Sequence, residues 1–408
     1  MERLNTPSFP GGKKMAVVVL GGAGHIGSGV VRELVRLSPG LEVVIADRNV
    51  EGGRELAGEL GDRVSVRGVE AEDLSSLVET LRGAEVAVST LGPFYRHGER
   101  VLRAALRVGV NLVDIDDDYD ATEKCLGLDR EAREAGVLAI VGLGATPGLT
   151  NLMAKLGAEG MEAEEVDTAW AWTAVDPSMG PAIVHHFFHA ITGEVPTYRD
   201  GEWVRVRALS EPELVEFPPP LGKMEVAHVG HPEPVTLPRY LRGVRRVTNK
   251  GTIWPRLLAE VAGTFARMGL TELREVNVRG QSLSPREFLV ELTLRLEELA
   301  PPELMEEAAR ELEAFGEHAM GVGLRVEVRG KREGREVRRF YSLASPSAVR
   351  ATALPAALGA LWMLRGEVEG KGVHPPEGVI ESSRFLREVA GEFEIWEGEE
   401  RRGRLGRG

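Results

Sequence analysis

The sequence predicts an α/β protein: a doubly wound parallel sheet over roughly its first 150 residues, then a second, α+β domain. Three observations carry this. An apolar, mostly β-branched run (Ala16–Leu20) meets the turn Gly22-Ala23-Gly24-His25-Ile26-Gly27, and a helical pattern starts at once. Strand-like and helix-like segments then alternate six times at the spacing of right-handed βαβ units. From about Leu149 that rhythm gives way to short strand candidates with interspersed helices.

In order, strands are expected at 16–20, 43–46, 64–67, 85–89, 110–113 and 137–141, with helices at 50–60, 74–81, 99–107 and 121–135 between them. In the second domain helices are expected at 150–156, 181–191, 254–268 and 302–315. Strands are expected at 166–175, 203–208, 214–217, 226–229 and 245–248. A hairpin is expected from 324–329 and 336–343 about the turn Lys331–Gly334. Residues 347–364 form a long apolar helix, too interrupted to span a bilayer. The domains are expected at 15–150, 151–345 and 346–396, with loose tails at 1–14 and 398–408.

The chain has 408 residues, 43% of them hydrophobic, enough for two domains with sizeable cores. A net charge of −13 argues against nucleic acid or an anionic membrane as the main partner. The single cysteine, Cys125, excludes an internal disulfide framework and suits a reducing cytoplasm. No signal peptide is expected at the N-terminus. Abundant Arg and Glu with almost no Gln or Cys point to a thermophilic source.

In its strand–turn–helix context the glycine motif reads as a Rossmann-type dinucleotide site. Gly22 is expected to make the tight turn, Gly24 to admit the pyrophosphate and Gly27 to let helix and strand pack closely. The backbone of His25 and Ile26 lies at the helix N-terminus that faces the phosphates. Asp47, twenty residues past Gly27, is placed to hold the adenosine ribose hydroxyls, with Arg48 beside it and Ala71 near the adenine edge. A carboxylate there repels a 2′-phosphate, so NAD is expected over NADP. Leu91, Gly92 and Pro93 follow the fourth strand, where a nicotinamide ribose would lie. Asp114 ends the fifth strand at the same edge of the sheet.

The run Asp114–Asp118 brings several carboxylates to that edge, and alternate residues of an extended segment share a face. One of Asp116, Asp117 or Asp118 is expected to attract a cationic amine or accept its proton; Asp117 is the catalytic candidate and Asp118 a substrate contact. Tyr95 would border the pocket. His231, in a proline-stiffened loop, is the other acid/base candidate. His185 and His189 share a helix face, and His185 is the choice for the cleft; no acidic neighbour completes a zinc motif, so no metal is expected. Arg239 and Lys250, from a basic stretch, are candidates for a substrate carboxylate.

The fingerprint at 22–27, LGPF at 91–94, VDIDDD at 113–118 and GLGATPGLTN at 142–151 resemble the saccharopine dehydrogenase-like superfamily. A looser match continues with TALPAAL at 352–358 and GVHPPE at 372–377. The resemblance implies a Rossmann domain, an inserted α+β domain for substrate and dimerisation, and C-terminal helices returning to the first. It also implies NAD(P)-dependent hydride transfer at the C–N bond of an amino acid or opine. Saccharopine- or L-lysine 6-dehydrogenase-type chemistry, hence lysine metabolism, is the leading expectation, and a homodimer the expected assembly. The alternatives are a reductase of a neutral C=O or C=C substrate, or a non-catalytic NAD(H)-sensing protein.

Overall fold

A computed structural model describes residues 16–174 and 179–402. The expected tail at 1–14 and residues 403–408 lie outside the described residues, as does Val175 of the expected 166–175 strand.

The first unit runs β1 (Ala16–Leu20), α1 (His25–Leu37), β2 (Glu42–Asp47), α2 (Val50–Leu60), β3 (Val64–Gly68), α3 (Leu74–Leu81), β4 (Val86–Ser89), α4 (Phe94–Val108), β5 (Asn111–Asp114), α5 (Tyr119–Leu126), α6 (Asp129–Ala135) and β6 (Leu138–Ile140). The single helix expected over 121–135 is two, parted around Gly127 and Leu128. The next segment holds α7 (Leu149–Ala158), β7 (Glu162–Thr173), α8 (Pro181–Ala190), β8 (Glu194–Arg199), β9 (Glu202–Arg207), β10 (Glu213–Glu216), β11 (Lys223–His228), α9 (Glu233–Tyr240), β12 (Arg246–Trp254) and α10 (Arg256–Arg267). Then come a small hairpin, β13 (Val276–Val278) and β14 (Gln281–Leu283), with α11 (Pro285–Thr293), α12 (Leu296–Leu299) and α13 (Pro302–Phe315). The chain closes with β15 (Val322–Arg332), β16 (Arg335–Ser345), α14 (Ala348–Leu364), β17 (Gly372–His374), α15 (Pro376–Val379), α16 (Ser382–Ala390) and β18 (Ile395–Arg402).

Strands β1 to β6 form a parallel sheet in the order 3-2-1-4-5-6, to which β17 adds a seventh strand beside β6. The strands read as continuous apolar runs because helices cover both faces; Val17, Val19, Val43 and Ile45 pack on one side, Val18, Leu20, Val44 and Ala46 on the other. β17 draws the C-terminal segment onto the first domain, and Val373 N–H donates to Asp129 Oδ1 at 3.0 Å. α14 returns as well. It is buried along almost its whole length and meets α1 so closely that a Cβ on Gly29 would stand 2.7 Å from Val349 Cγ1. Trp362 of α14 packs edge-on against Phe385 of α16, ring centroids 5.0 Å apart. Full burial of side chains of this size contributes about 1.5–3 kcal/mol each.

The second sheet has nine strands and is mixed: β12 runs parallel to β7, and the other pairings are antiparallel. β15 and β16 form the expected hairpin, extended to Val322–Arg332 and Arg335–Ser345. Two expectations fail here. Residues 398–402, assigned to a loose tail, belong to β18, whose backbone pairs with β16. The proline-punctuated stretch after His231, expected as a loop, forms α9, with Pro234 in its first turn, where a missing N–H costs little.

Candidate active site

A cavity of about 430 Å³ lies between the carboxyl edge of the parallel sheet and the second domain. The first domain supplies Ile26, Thr90, Gly92–Phe94, Asp117 and Thr146; the second supplies Trp170, His186 and His231.

The glycine turn is shaped by close approach. A Cβ on Gly27 would stand 2.0 Å from Gly21 O, and one on Gly22 would stand 2.9 Å from Val19 O. The residue with the left-handed backbone is Gly21 (φ +77°), not Gly22, so the sharp turn is made one residue earlier than the sequence reading places it. No side chain caps α1, which leaves its N-terminus for an anion. Asp47 braces this turn: Oδ2 accepts Ala23 N–H (3.0 Å) and Oδ1 accepts Asn49 N–H (2.9 Å). Arg48 is exposed beside it. Ala71 is half-buried, its carbonyl accepting from Arg100. Thr90 Oγ1 donates to Leu20 O (2.9 Å) and joins the end of β4 to the turn. A bare helix N-terminus, glycines without room for a Cβ and a carboxylate ending β2 fit a dinucleotide.

The acidic run divides by alternation. Ile115 and Asp117 line the cavity, whereas Asp114, Asp116 and Asp118 turn inward and are fully or almost fully buried. The inward three brace the backbone: Asp114 Oδ1 accepts N–H groups of Asp116 (3.0 Å) and Gly142 (2.8 Å), and Asp116 Oδ1 accepts that of Asp118 (2.9 Å). Burial pushes Asp114 up to about 6, and burial with its two acidic neighbours raises Asp116 well above the carboxylate range. Asp114 therefore does not face a cofactor; its carboxyl is engaged by the loops it joins.

Asp118, expected as a substrate contact, does not line the cavity but holds the site together from behind. Its Oδ2 accepts Tyr95 N–H (2.9 Å) and its Oδ1 accepts from His186 Nδ1 (2.8 Å). Burial opposes its charge, but the bond and charge of His186 overrule this and leave Asp118 below its ordinary range. Burial also opposes the charge on His186, yet Asp117 and Asp118 outweigh it, raising the imidazole well above 6.5. Asp117 Oδ1 lies 3.1 Å from the same Nδ1. These three side chains bring metal-ligand atoms within 4.8 Å of one another. In this structure the three form an ion-pair cluster, with His186 Nδ1 2.8 Å from Asp118 and 3.1 Å from Asp117.

α8 explains which histidine faces the cavity. Ala182, Ile183, His186 and Phe187 share its cavity face, while His185 and His189 lie on another. His185 is thus not at the cavity. Its Nδ1 lies 3.2 Å from the Tyr95 hydroxyl and its Nε2 3.4 Å from Glu287. His189 stacks on Tyr95 with centroids 4.5 Å apart and contacts Arg286 at 3.1 Å. Tyr95 consequently belongs to the contact between α4, α8 and α11, and Phe94 borders the cavity in its place.

His231 does line the cavity. Its Nδ1 lies 2.9 Å from Glu233 Oε2, and the other Glu233 oxygen accepts from Thr146 (2.7 Å) and Thr150 (2.8 Å). Burial raises Glu233, but the His231 and Thr146 contacts overrule it and hold the carboxyl below its usual range. A carboxylate on Nδ1 selects the tautomer that leaves Nε2 for chemistry. The ring sits 5.6 Å from that of His186 and 5.5 Å from that of Trp170, centroid to centroid. Gly251 makes this placement possible, since a Cβ there would stand 2.3 Å from Trp170 Cε2.

Neither basic candidate reaches the cavity. Arg239 is exposed over the Trp203 ring, its Nε bonded to Val235 O (3.0 Å). Lys250 donates to Glu211 O (2.7 Å) and pairs with Glu213 (3.0 Å).

Behind Glu233 lies Glu377, completely buried, with Oε2 accepting from Asn151 (3.0 Å) and Oε1 without a hydrogen-bond partner. Burial pushes its carboxyl from 4.5 up to about 7. The folded state then binds a proton that the unfolded chain has released. Stability therefore falls as pH rises from about 4.5 to about 7 and levels off above. Glu377→Gln removes this penalty. Its unfolding free energy should exceed the wild-type value at pH 8 by an amount on the order of 3 kcal/mol, seen as a higher Tm in thermal melts, and match it at pH 4.5.

A dinucleotide cradle opening on a cavity with a His–Glu pair and an anion at its polar end defines a nucleotide-dependent oxidoreductase. The sequence matches the saccharopine dehydrogenase NADP-binding domain over residues 17–140 and the saccharopine dehydrogenase C-terminal domain over 144–395, and the chain belongs to that family. That family comprises NAD(P)-dependent oxidoreductases, its characterised members acting on the C–N bond of amino-acid-like substrates, and this chain is an NAD(P)-dependent oxidoreductase of it. Carboxyaminopropylagmatine dehydrogenase of Synechocystis is 22% identical over 389 residues, covering 88% of this chain and 92% of that one. Saccharopine dehydrogenase (L-Glu forming) of Saccharomyces cerevisiae shares the fold, with a TM-score of 0.65 at 16% identity over 95% of this chain and 100% of that one. Homospermidine synthase of Legionella pneumophila, solved with NAD, gives 0.57 at 12% identity over 97% and 94%. No helix among the described residues is long and apolar enough to cross a membrane.

Proposed function

We propose that Asp117 and His231 carry the polar chemistry of hydride transfer at a C–N bond, with His186 and Glu233 as their positioning residues. Bound NAD(P) supplies or accepts the hydride at the carbon bearing nitrogen. Asp117 holds the cationic nitrogen, and the His186 cation keeps its carboxylate oriented. His231 Nε2 takes the proton that the nitrogen must lose before the carbon is oxidised, and returns it in the reverse direction. Glu233 stabilises the imidazolium so formed, as a carboxylate does in a catalytic triad. The observation that carries this reading is the approach of the two pairs, Asp117–His186 and His231–Glu233, at the carboxyl edge of the sheet. The test follows NADH absorbance with diamino acids, opines, alkylamines and neutral carbonyl compounds. Signals with amines or opines are expected, and none with any C–N substrate overturns the reading.

NAD is the preferred cofactor in this proposal, because Asp47 sets a carboxyl group where a 2′-phosphate would have to sit. NADH should bind at least tenfold more tightly than NADPH by fluorescence titration, and Asp47→Ser should narrow the gap; tighter NADPH binding defeats the assignment. We expect a homodimer in the cytoplasm. Leu214 on the edge strand β10, 70% exposed, is a contact for a second copy, and sedimentation would give the mass.

A further inference from the structure

Asp117, His186 and His231 cluster in the cavity wall, His186 Nδ1 lying 3.1 Å from Asp117 and its ring 5.6 Å from that of His231. The rest of the wall is mostly apolar: Ile183 and Phe187 flank His186 on α8, Val261 and Phe265 come from α10, and Leu304 and Met305 from α13, with the hydroxyls of Thr173, Thr293 and Thr352 among them. This wall continues to Leu294, 38% exposed, so the apolar lining reaches solvent there. The remaining charged residues of the lining, Arg295 and Glu298, are both exposed. Among the described residues, no other charged side chain lines the cavity. A second amino-acid head on the substrate would leave a carboxylate here without a buried guanidinium or ammonium, with only neutral hydroxyls such as those of Thr173 and Thr352 to offset its desolvation. Lys250 and Arg239, the cations that the sequence offered for that task, are engaged elsewhere.

We propose that the substrate carries an extended apolar chain on one side of its C–N bond, seated between α8, α10 and α13. The class is a long-chain alkyl or arylalkyl amine, or an amino acid bearing such a tail, rather than a dicarboxylic opine or a short diamino acid. The inference rests on the reading of Asp117 and His231 as the polar end.

The test is a series of linear primary amines from propyl to decyl, with L-lysine and saccharopine as charged comparators. Each is titrated calorimetrically into the protein saturated with NADH and, in parallel, assayed for KM with NAD. Affinity should tighten about fourfold per added methylene and flatten once the chain reaches Leu294. Phe265→Asp should flatten the series, and Phe265→Leu should keep most of the slope. A flat series on the unmodified protein, or lysine or saccharopine binding more tightly than the longer alkylamines, overturns the proposal. The two readings fail separately. Turnover of amines without a chain-length slope keeps the polar chemistry and removes the apolar class. A binding slope without turnover of any C–N substrate keeps the apolar seat and removes the chemistry.

Discussion

Replacing His231 by Gln is expected to lower kcat by about 10²–10⁴, the range that a positioned general acid/base contributes. Binding of NADH, measured by fluorescence, should be unchanged, because His231 belongs to the second domain and the glycine turn to the first. Glutamine retains the volume and a donor toward Glu233, but it cannot take up a proton at the cavity face. The loss should therefore appear in kcat, with KM for the amine moving little. Glu233→Gln should cost less and in a different way: the imidazole stays at the cavity, but the charge that stabilises its protonated form is gone. Its signature is a displaced pH–rate limb with kcat partly retained. A His231→Gln enzyme of wild-type kcat would remove His231 from the chemistry.

The parallel sheet was legible because each signal was local. β-branched runs, a glycine turn and helical spacing recur within about 25 residues, and the observed order 3-2-1-4-5-6 is one that right-handed crossovers allow. The second domain was harder to read. β8 contains Pro196, which weakens its strand signal, and β12 runs three residues past the apolar Val247 before Gly251 opens space for Trp170. Among the site residues, the alternation rule separated Asp117 from its neighbours in principle, but which parity faces inward depends on α8, whose His186 lies 68 residues past Asp118. The histidines posed the same problem. Period 3.6 puts His185 and His189 on one face and His186 on another, and only the docking of α8 decides which meets the ligand. Arg239 and Lys250 were misplaced because proximity to proline and glycine says nothing about the Trp203 ring, Glu211 or Glu213 that engage them.

Asp118→Leu should destabilise the protein by about 3–5 kcal/mol at pH 6, the cost of removing one partner of a buried ion pair. Its side chain is wholly buried and that of His186 is 14% exposed, so solvent screens the pair little. The substitution also strips an acceptor from Tyr95 N–H at the start of α4. The pH dependence distinguishes lost charge from lost packing. His186 titrates higher folded than unfolded, so its contribution is complete below the unfolded value near 6.5 and disappears as pH rises through the folded one. Asp118 titrates lower folded than unfolded, so its share is complete above the ordinary carboxylate value near 4 and disappears as pH falls through the folded one. The gap between wild type and Asp118→Leu should therefore be widest between about pH 5 and 6.5 and narrow in alkali. Asp118→Asn, which keeps the volume and the acceptor for Tyr95, should show the same pH profile at smaller amplitude. Thermal melts across pH 4 to 10 decide it: a gap independent of pH would mean that Asp118 acts through packing alone, and would leave Asp117 without an oriented cation at the polar end of the cavity.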